Sequence, residues 1–344
     1  MGAGAFIEGS AFDRHVLGVA KIPRIRIIFL GDPNTTLANL LVGEVHFAAD
    51  DSIGFRQGVT LRREWGSRNG GSVLVKPDLW RSTYVQFRPE FLSAPGLLDA
   101  RVRKALAHTN DKQGLNEALF EGQGLMSDVP FIPDTVDYFS AIEPVATKYP
   151  YDPAQGQALL TQAGYTRGGD GIWVSPTAGR LAFVLATTST PQNESELSIL
   201  GAGWRQAGFD ITEYVMPIAL GQDGQARSTF TGLSTISIPL GEDTLASENT
   251  NNIPRPDNRW VGNNRGGWSN QEFDRLSDSF NVTLDRTQRV GLIAQMIRIF
   301  TDDIPMIPLY FAPIPVAHVA ALKGPQNVAP DSAIAWNIYQ WELQ

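Results

Sequence analysis

The chain has 344 residues, with 28 Lys and Arg against 36 Asp and Glu, which gives a formal net charge of −8. This balance argues against nucleic-acid binding, which draws its affinity from clustered basic side chains, and against attachment to an anionic membrane surface. The absence of cysteine excludes disulfides, thiol nucleophiles and thiolate metal sites, and it is compatible with an oxidising compartment.

The first part of the chain is predicted to form strands around one helix. Residues 24–30 alternate apolar and polar side chains, which is the period of a half-buried strand. The Asp32-Pro33-Asn34 segment breaks this pattern, and leucines then recur at helical spacing. Two further strands are predicted at residues 72–75 and 84–87. Prolines in the segment 89–95 mark the end of this region.

Helices become more frequent after residue 98. They are predicted at about residues 99–110, 153–163, 194–207, 270–280 and 286–301, with strands at 181–187 and 211–215 between them. Asp99 and Asp152 can accept hydrogen bonds from the first turns of two of these helices, and Pro153 suits a first helical position. Interleaved helices and strands predict an α/β or α+β lobe.

A polar segment at residues 222–265 has few apolar anchors and is predicted to form long loops, which in compact domains are commonly functional. Within and just after it lies a cluster of aromatic, amide and basic residues: Asn252, Trp260, Asn263, Asn264, Arg265 and Trp268. Rings stack on sugars or peptide side chains, while amides and a guanidinium orient a ligand. The cluster is therefore the predicted ligand site. The alternative is that Trp260 and Trp268 only cover an edge of the core.

Four segments carry a family resemblance: residues 98–108 (LDARVRKALAH), 149–165 (YPYDP to AGY), 267–276 (GWSNQEFDRL) and 304–310 (IPMIPLY). In this order they resemble elements of the family 5 extracellular solute-binding proteins, the dipeptide, oligopeptide and nickel-type receptors of ABC importers. Segments at 11–27 and 32–45 also fit the pattern. The resemblance implies an α/β fold of the class II periplasmic-binding-protein-like type, with one near-complete lobe and a partial second lobe.

The resemblance also implies a domain organisation and a location. Residues 1–96 are expected to be an N-terminally truncated part of lobe I, residues 97–305 the α/β ligand-binding lobe, and residues 306–344 a return segment to lobe I. Since family members are usually longer at the N-terminus, Met1 is expected to be an alternative start, and residues 1–20 lack the pattern of a signal peptide. The parent protein would lie in the periplasm or on the outer face of the cytoplasmic membrane.

The implied function is solute binding for an ABC importer, by hinge closure around a peptide or oligosaccharide, with the membrane permease as partner. Peptide-binding members capture the peptide amino group with an aspartate in a W-x-A-D-Y-x-D-P element. The corresponding stretch, residues 233–241, lacks both the tryptophan and the aspartate. Either Glu242 or Asp243 takes that role by a shift in register, or the ligand is uncharged. Asp243 completes the predicted site.

No catalytic residue, cofactor or metal site is predicted. The histidines, His15, His46, His108 and His318, lack the spacing of metal ligands. The pairs Asp50-Asp51, Glu242-Asp243 and Asp302-Asp303 leave a carboxylate-dependent hydrolase as an alternative, because glycosidases need two carboxyl groups facing one bond. Solvated loop charges are the default explanation of these pairs, and the hydrolase is the minor alternative. A further alternative is a truncated receptor with no autonomous ligand binding.

Overall fold

The structure, a computed structural model, describes residues 5–48, 52–326 and 334–344, so that Met1 and the Asp50-Asp51 pair lie outside the described residues. The chain divides into two compact units. The first unit comprises residues 1–78 and 313–344, and the second unit comprises residues 79–312. The lobe boundaries expected near residues 97 and 305 stay predictions.

Strands and helices interleave along the described chain, which confirms the predicted α/β class. The strands are β1 Phe6–Ser10, β2 Arg24–Ile28, β3 Phe47–Ala48, β4 Gly71–Val85, β5 Leu125–Met126, β6 Thr166–Arg167, β7 Trp173–Ser175, β8 Gly179–Arg180, β9 Ala182–Thr188, β10 Asp210–Met216, β11 Leu233–Pro239, β12 Met306–Val319, β13 Leu322–Lys323 and β14 Glu342–Leu343. The helices are α1 Pro33–Val42, α2 Phe55–Gly66, α3 Ala100–His108, α4 Lys112–Phe120, α5 Phe139–Ile142, α6 Pro153–Gln162, α7 Pro191–Gln206, α8 Glu242–Ala246, α9 Gln271–Val282 and α10 Arg286–Asp303.

Side-chain caps start the helices where the sequence predicts them. The Asp99 carboxylate accepts a hydrogen bond of 2.8 Å from the backbone N–H of Arg101 at the start of α3. Asp152 does the same for the N–H of Gln155 in α6, at 2.9 Å, and Pro153 occupies the first helical position. Such caps satisfy N–H groups that have no partner within the helix. Both predicted helix starts are confirmed.

The strand prediction for residues 72–87 needs one correction. The two short strands expected there are one continuous strand, β4, of 15 residues. Charged side chains in its middle interrupt the apolar pattern that predicts a strand. In the structure these charges are paired: Arg81 is buried against Glu196, and Lys76 lies 3.4 Å from Asp78. Ion pairing lets these residues occupy a strand whose second half is buried, because a buried charge is tolerated when it has a partner.

The sheet of the second unit has the strand order β10-β9-β11-β4-β12. Strands β9, β10 and β11 are parallel to one another, whereas β11 is antiparallel to β4. In that antiparallel pair Leu233 lies opposite Val85, and Pro239 lies opposite Leu79, the first residue of the second unit. The carboxyl ends of β9, β10 and β11 therefore meet at one edge of the sheet.

Aromatic rings form the core of the second unit beside α9 and α10. Trp80 lies 4.4 Å from Phe131 between ring centroids, and Trp268 lies 5.0 Å from Phe273 in an edge-to-face arrangement. Phe300 of α10 contacts both groups, at 5.5 Å from Phe131 and 5.5 Å from Trp268. Edge-to-face pairs contribute beyond the apolar area they bury. This cluster fixes the loop segment that ends at Trp268.

The first unit has its own smaller core, built from Leu40 of α1, Leu61 and Trp65 of α2, and Ala317 of β12. Strand β3 pairs with the end of β12, where Ala48 lies opposite Ala317. The antiparallel hairpin of β1 and β2 belongs to the same unit, and all ten of its residues are exposed. Among the described residues, no helix has the length and apolar character that crossing a bilayer requires.

Candidate functional site

The carboxyl edge of the parallel strands is the first candidate surface, because open α/β sheets bind ligands beyond the carboxyl ends of their strands. We define the carboxyl edge as the residues that follow β9, β10 and β11, namely 189–193, 217–220 and 240–243. After β10, Ile218 and Leu220 leave 77% and 40% of their surface exposed. After β11, Gly241 adopts a φ of 123°, which favours glycine, and α8 begins with two carboxylates.

Asp243 is the carboxylate of this edge that is open to solvent. Its side chain is 89% exposed and lies 3.6 Å from the guanidinium of Arg289 on α10. The neighbouring Glu242 takes the closer contact with Arg289, at 2.8 Å, and Tyr138 Oη lies 3.5 Å from the other Glu242 oxygen. Burial, followed by the charge of Glu242, raises the pKa of Tyr138. Because Glu242 forms the closer ion pair with Arg289, the exposed Asp243 carboxylate remains available to bind an external cation.

The other predicted site residues extend from the end of α8 toward the amino end of β11. The carbonyl of Gly266 accepts a hydrogen bond of 2.7 Å from the N–H of Phe87, which lies just beyond the pairing of Val85 with Leu233. Strand β11 has seven residues, a length of about 20 Å at roughly 3.3 Å per residue. The structure therefore places Arg265 and Trp260 toward the amino end of β11, whereas Asp243 follows its carboxyl end. Asn263 lies between them, because its side chain donates to Ser247 at 2.9 Å and the N–H of Ser247 donates to the carbonyl of Asp243 at 3.0 Å.

The side chains of two of these residues, Asn264 and Trp268, are buried and make hydrogen bonds within the protein. Asn264 is 1% exposed, and its amide nitrogen lies within 3.1 Å of the carbonyls of Glu248, Asn249 and Trp268. Its amide oxygen accepts from the N–H of Trp268 at 3.1 Å. Trp268 is 4% exposed, and its indole N–H donates to Asp303 at 3.2 Å. Both side chains hold the segment in place, so the prediction of ligand contact now depends on Trp260, Asn263 and Arg265.

Replacing Asn264 by alanine is expected to lower the free energy of unfolding by about 2 kcal/mol, because buried carbonyls and an N–H lose their partner. The neighbouring Asn263 is exposed, and its side chain donates one hydrogen bond, of 2.9 Å, to Ser247. Asn263→Ala is the matched control, with an expected change of less than about 0.5 kcal/mol. Urea unfolding followed by tryptophan fluorescence measures both changes, and equal effects would contradict the structural role of Asn264.

Trp260 borders a groove of about 740 Å³ in the second unit. Its half-buried ring lies 6.4 Å from Phe91, and Phe87, Pro254 and Pro256 supply further apolar walls. Trp260 follows Arg259 with a second positive φ, 61° after 57°, a conformation that side chains other than glycine rarely adopt. The groove offers flat apolar surfaces of the kind that stack on rings or aliphatic side chains.

A buried acid lies beside Asn263. Glu248 is 2% exposed, and one of its carboxylate oxygens is 2.7 Å from the hydroxyl of Tyr84. That hydroxyl also lies 2.8 Å from the carbonyl of Asn263. Burial raises the pKa of Glu248 to about 7, although the Tyr84 hydrogen bond and the charge of Arg265 act in the opposite direction. The side chain is therefore able to change its protonation state near neutral pH.

Sequence reasoning missed Glu248, Tyr84 and the nearby Arg227. Tyr84 and Glu248 are 164 positions apart, and the pairing of β4 with β11, together with the path of α8, brings them together. Glu248 stands in a polar loop where a solvated side chain is the usual expectation, and no spacing marks it as buried. No local signal in the sequence identifies this group.

The carboxylates considered for chemistry that the structure describes, and the histidines His15, His108 and His318, have hydrogen-bond or ion-pair partners. Asp303 accepts from Trp268 and from Asn270, the latter at 3.1 Å, while Asp302 accepts from Thr147. His108 lies 2.9 Å from the carbonyl of Pro150. In the described ranges 5–48, 52–326 and 334–344, no group of three or more His, Cys, Asp or Glu residues is arranged to hold a metal ion.

Comparison with known proteins gives a family and several relatives. The model for bacterial extracellular solute-binding proteins, family 5 (middle), matches residues 5–239. Heme-binding protein A of Haemophilus influenzae is 27% identical over 237 residues, which cover 67% of this chain and 40% of that protein. The glutathione-binding protein GsiB of Salmonella typhimurium is 24% identical over 329 residues, which cover 93% of this chain and 58% of that protein. The chain thus spans about half the length of these relatives.

Solved structures show the same fold. NikZ from Campylobacter jejuni, in complex with Ni(L-His), superposes with a TM-score of 0.76 at 21% identity, over 99% of this chain and 66% of that one. An oligopeptide-binding protein from Thermus thermophilus, complexed with a pentapeptide, gives 0.75 at 23% identity, over 94% of this chain and 57% of that one. The predicted fold class is confirmed.

Proposed function

Because the chain belongs to the bacterial extracellular solute-binding proteins of family 5, we propose that it binds a peptide or oligosaccharide outside the cytoplasmic membrane for the permease of an ABC importer. The observation that carries this proposal is the family match over residues 5–239. The curated relatives are named as binding proteins, for heme and for glutathione, which supports a function without catalysis.

The carboxyl edge supports a peptide as the ligand. Its exposed apolar side chains, Ile218 and Leu220, suit apolar peptide side chains, and Asp243 offers a carboxylate to a free amino group. The groove beside Trp260, at the amino end of β11, supports the other option, since aromatic faces also stack on sugar rings. We favour the peptide because the edge combines an apolar surface with an accessible counter-charge.

Closure about a hinge is part of this proposal. The chain passes from one unit to the other within β4 and again within β12. A ligand shifts the population toward a closed form only by the difference between its affinities for the two forms. A permease that recognises the closed form then distinguishes loaded protein from empty protein.

A thermal-shift screen against di- to pentapeptides, oligosaccharides, heme and glutathione tests the proposal. A ligand at about 100 times its Kd adds about 2.7 kcal/mol to the stability of the folded state. A shift with one chemical class supports solute binding and identifies that class. A cooperative melt that no compound changes would contradict autonomous binding, and turnover of a glycoside or ester substrate would favour the hydrolase alternative.

Asp243→Asn is expected to weaken the binding of a peptide with a free amino group about tenfold, a loss of roughly 1.4 kcal/mol. Peptide N-acetylation removes the same interaction from the other side, so the acetylated peptide should bind both proteins equally weakly. Isothermal titration calorimetry measures the four affinities. Asp137→Asn is the matched control, because Asp137 is another exposed aspartate that pairs with an arginine of α10, Arg286. An unchanged affinity in Asp243→Asn would remove Asp243 from the site.

A further inference from the structure

Three arginines gather beside the amino end of β11, away from the carboxyl edge. The guanidinium of Arg88 is buried and donates to the carbonyls of Pro254 and Arg265, each at 2.8 Å, and to the carbonyl of Ser228. It also lies 3.1 Å from the side-chain oxygen of Gln86. All of these acceptors are neutral, so the charge of Arg88 has no carboxylate at hydrogen-bonding distance among the described residues.

Arg227 and Arg265 add two half-buried guanidinium groups. The buried Nε of Arg227 has no hydrogen-bond partner within the part of the chain that the structure describes. The side chain of Arg265 likewise makes no hydrogen bond or ion pair to any described residue. One guanidinium nitrogen of Arg88 donates to the carbonyls of both Ser228 and Arg265, which brings the segments that carry Arg227 and Arg265 together. In agreement with this, burial, followed by the charge of Arg265, lowers the pKa of Arg227. Their donors are therefore free while their charges repel.

The acidic side chains that act on this cluster are Glu248, which is held by Tyr84, and Glu90, whose charge partly offsets the effect of burial on the pKa of Arg88. The positive charge of Arg265 opposes the rise in the pKa of both Glu248 and Tyr84, and the charge of Arg227 opposes the rise in the pKa of Tyr84. These groups come from three elements: β4, the segment before β11, and the loop between α8 and α9. Two carboxylates against the guanidinium groups of Arg88, Arg227 and Arg265 leave a local positive excess in a chain whose net charge is −8.

We propose that Arg227 and Arg265 bind an oxyanion, a carboxylate or a sulfate- or phosphate-type group, carried by the transported solute or present as a free ion. An oxyanion supplies the acceptors that the two side chains lack and removes their mutual repulsion. The planar guanidinium fork matches the oxygen spacing of such groups, and charged hydrogen bonds of this type are stronger than neutral ones. The site shares no residue with the carboxyl edge at which Asp243 and the peptide are proposed to meet.

Glu248 couples this site to pH. When Glu248 is ionised, it balances part of the positive charge, and when it is protonated, the cluster attracts an anion more strongly. Since burial raises the pKa of Glu248 to about 7, the change falls between pH 6 and 8. Anion binding is therefore expected to be about fivefold or more tighter at pH 6 than at pH 8, the lower end of typical couplings between sites.

Sulfate is the probe for the test, because its charge is constant over this pH range. The full chain is titrated with sodium sulfate in a calorimeter at pH 6 and at pH 8, with sodium chloride holding the ionic strength constant. Arg227→Gln and Arg265→Gln are each expected to weaken sulfate binding about tenfold or more, since a charged hydrogen bond is lost. Arg259→Gln, an exposed arginine in the same loop, is the matched control and should bind as the unchanged protein does.

Two further variants make the outcome decisive. Glu248→Gln mimics the protonated acid and should bind sulfate at pH 8 as tightly as the unchanged protein does at pH 6. Arg265→Lys keeps the charge but not the fork, and it replaces Arg265→Gln if that variant lacks a cooperative melt. Sulfate affinities equal in all variants and in the control would overturn the proposal, because general salt effects do not distinguish these arginines.

The source of the oxyanion is found by competition. A solute from the peptide screen that displaces sulfate places its own carboxylate at Arg227 and Arg265, whereas a solute that binds together with sulfate identifies a free ion as the occupant. Asp243→Asn should leave sulfate binding unchanged. Failure of the peptide proposal and failure of the oxyanion site are therefore separate results.

Discussion

Glu248→Gln is expected to stabilise the protein above pH 7 by about 3 kcal/mol and to change its stability little near pH 4. The pKa of Glu248 in the folded state is about 7, against an ordinary value of 4.5. As the pH rises, the unfolded chain releases the Glu248 proton first. The stability gained by keeping Glu248 protonated in the folded state is therefore fully present below pH 4.5 and is lost as the pH rises through 7. A difference of about 2.5 pKa units at roughly 1.4 kcal/mol each gives the expected size.

The hydrogen bonds around Tyr84 support a neutral side chain at position 248. The Tyr84 hydroxyl lies 2.7 Å from Glu248 and 2.8 Å from the carbonyl of Asn263, but it has a single proton. If Glu248 is protonated, it donates to the hydroxyl, which then donates to Asn263. Glutamine supplies the same donor from its amide nitrogen and carries no charge, so it reproduces this arrangement at every pH.

Urea unfolding of both proteins from pH 4.5 to pH 8.5 measures the effect. The unchanged protein should lose stability between about pH 5 and pH 7 relative to Glu248→Gln, and the difference should be constant above that range. Glu272→Gln is the control, because Glu272 is 57% exposed and pairs with Arg275 on the surface of α9. Parallel stability curves for the unchanged protein and Glu248→Gln would show that Glu248 is solvated.

Features set by neighbouring residues could be predicted from the sequence. The caps at Asp99 and Asp152 lie within three residues of the N–H groups they bind, and the helices begin where the sequence places them. The order of helices and strands predicted the α/β class for the same reason. Strand β4 was the exception, since its charged residues are neutralised by partners such as Glu196, 115 positions further along the chain.

The composition of the candidate site was harder to predict. Asp243 and Trp260 are close in sequence, but the direction of β11 and the loops after it place them beside different ends of that strand. Asn264 resembles a ligand-binding amide in the sequence, whereas in the structure it bonds to three carbonyls of its own loop. Whether a polar side chain faces solvent or its own backbone depends on tertiary contacts, which loop sequence does not encode locally.

Arg81→Met is expected to destabilise the protein by about 3–5 kcal/mol, because it leaves a buried carboxylate without its counter-ion. Arg81 is 3% exposed, and Glu196 of α7 is fully buried. Two guanidinium nitrogens lie 2.6 Å and 3.2 Å from the Glu196 oxygens, and a third donates to Ser237 at 3.0 Å. Burial alone would lower the pKa of Arg81, but the carboxylate of Glu196 and the hydroxyl of Tyr310 outweigh it and raise the pKa.

The expected loss of stability reflects the cost of leaving Glu196 charged and buried without a partner, and not the net contribution of the ion pair to stability. Removing both charges tests this distinction, because replacing a whole buried pair by neutral residues is often nearly neutral for stability. In the double variant Arg81→Met with Glu196→Gln, the amide oxygen still accepts from the Tyr310 hydroxyl, which contacts Glu196 in the structure. The double variant is expected to recover at least half of the stability that Arg81→Met loses.

A double-mutant cycle in urea, at pH 7, gives the coupling between the two side chains. Arg275→Met is the control, since Arg275 pairs with Glu272 on an exposed helix face and should cost less than about 1 kcal/mol. Comparable losses for Arg81→Met and Arg275→Met would mean that water reaches Glu196. In that case α7 would be held on the sheet by its packing against β9 and β10, and the buried ion pair would add only orientation.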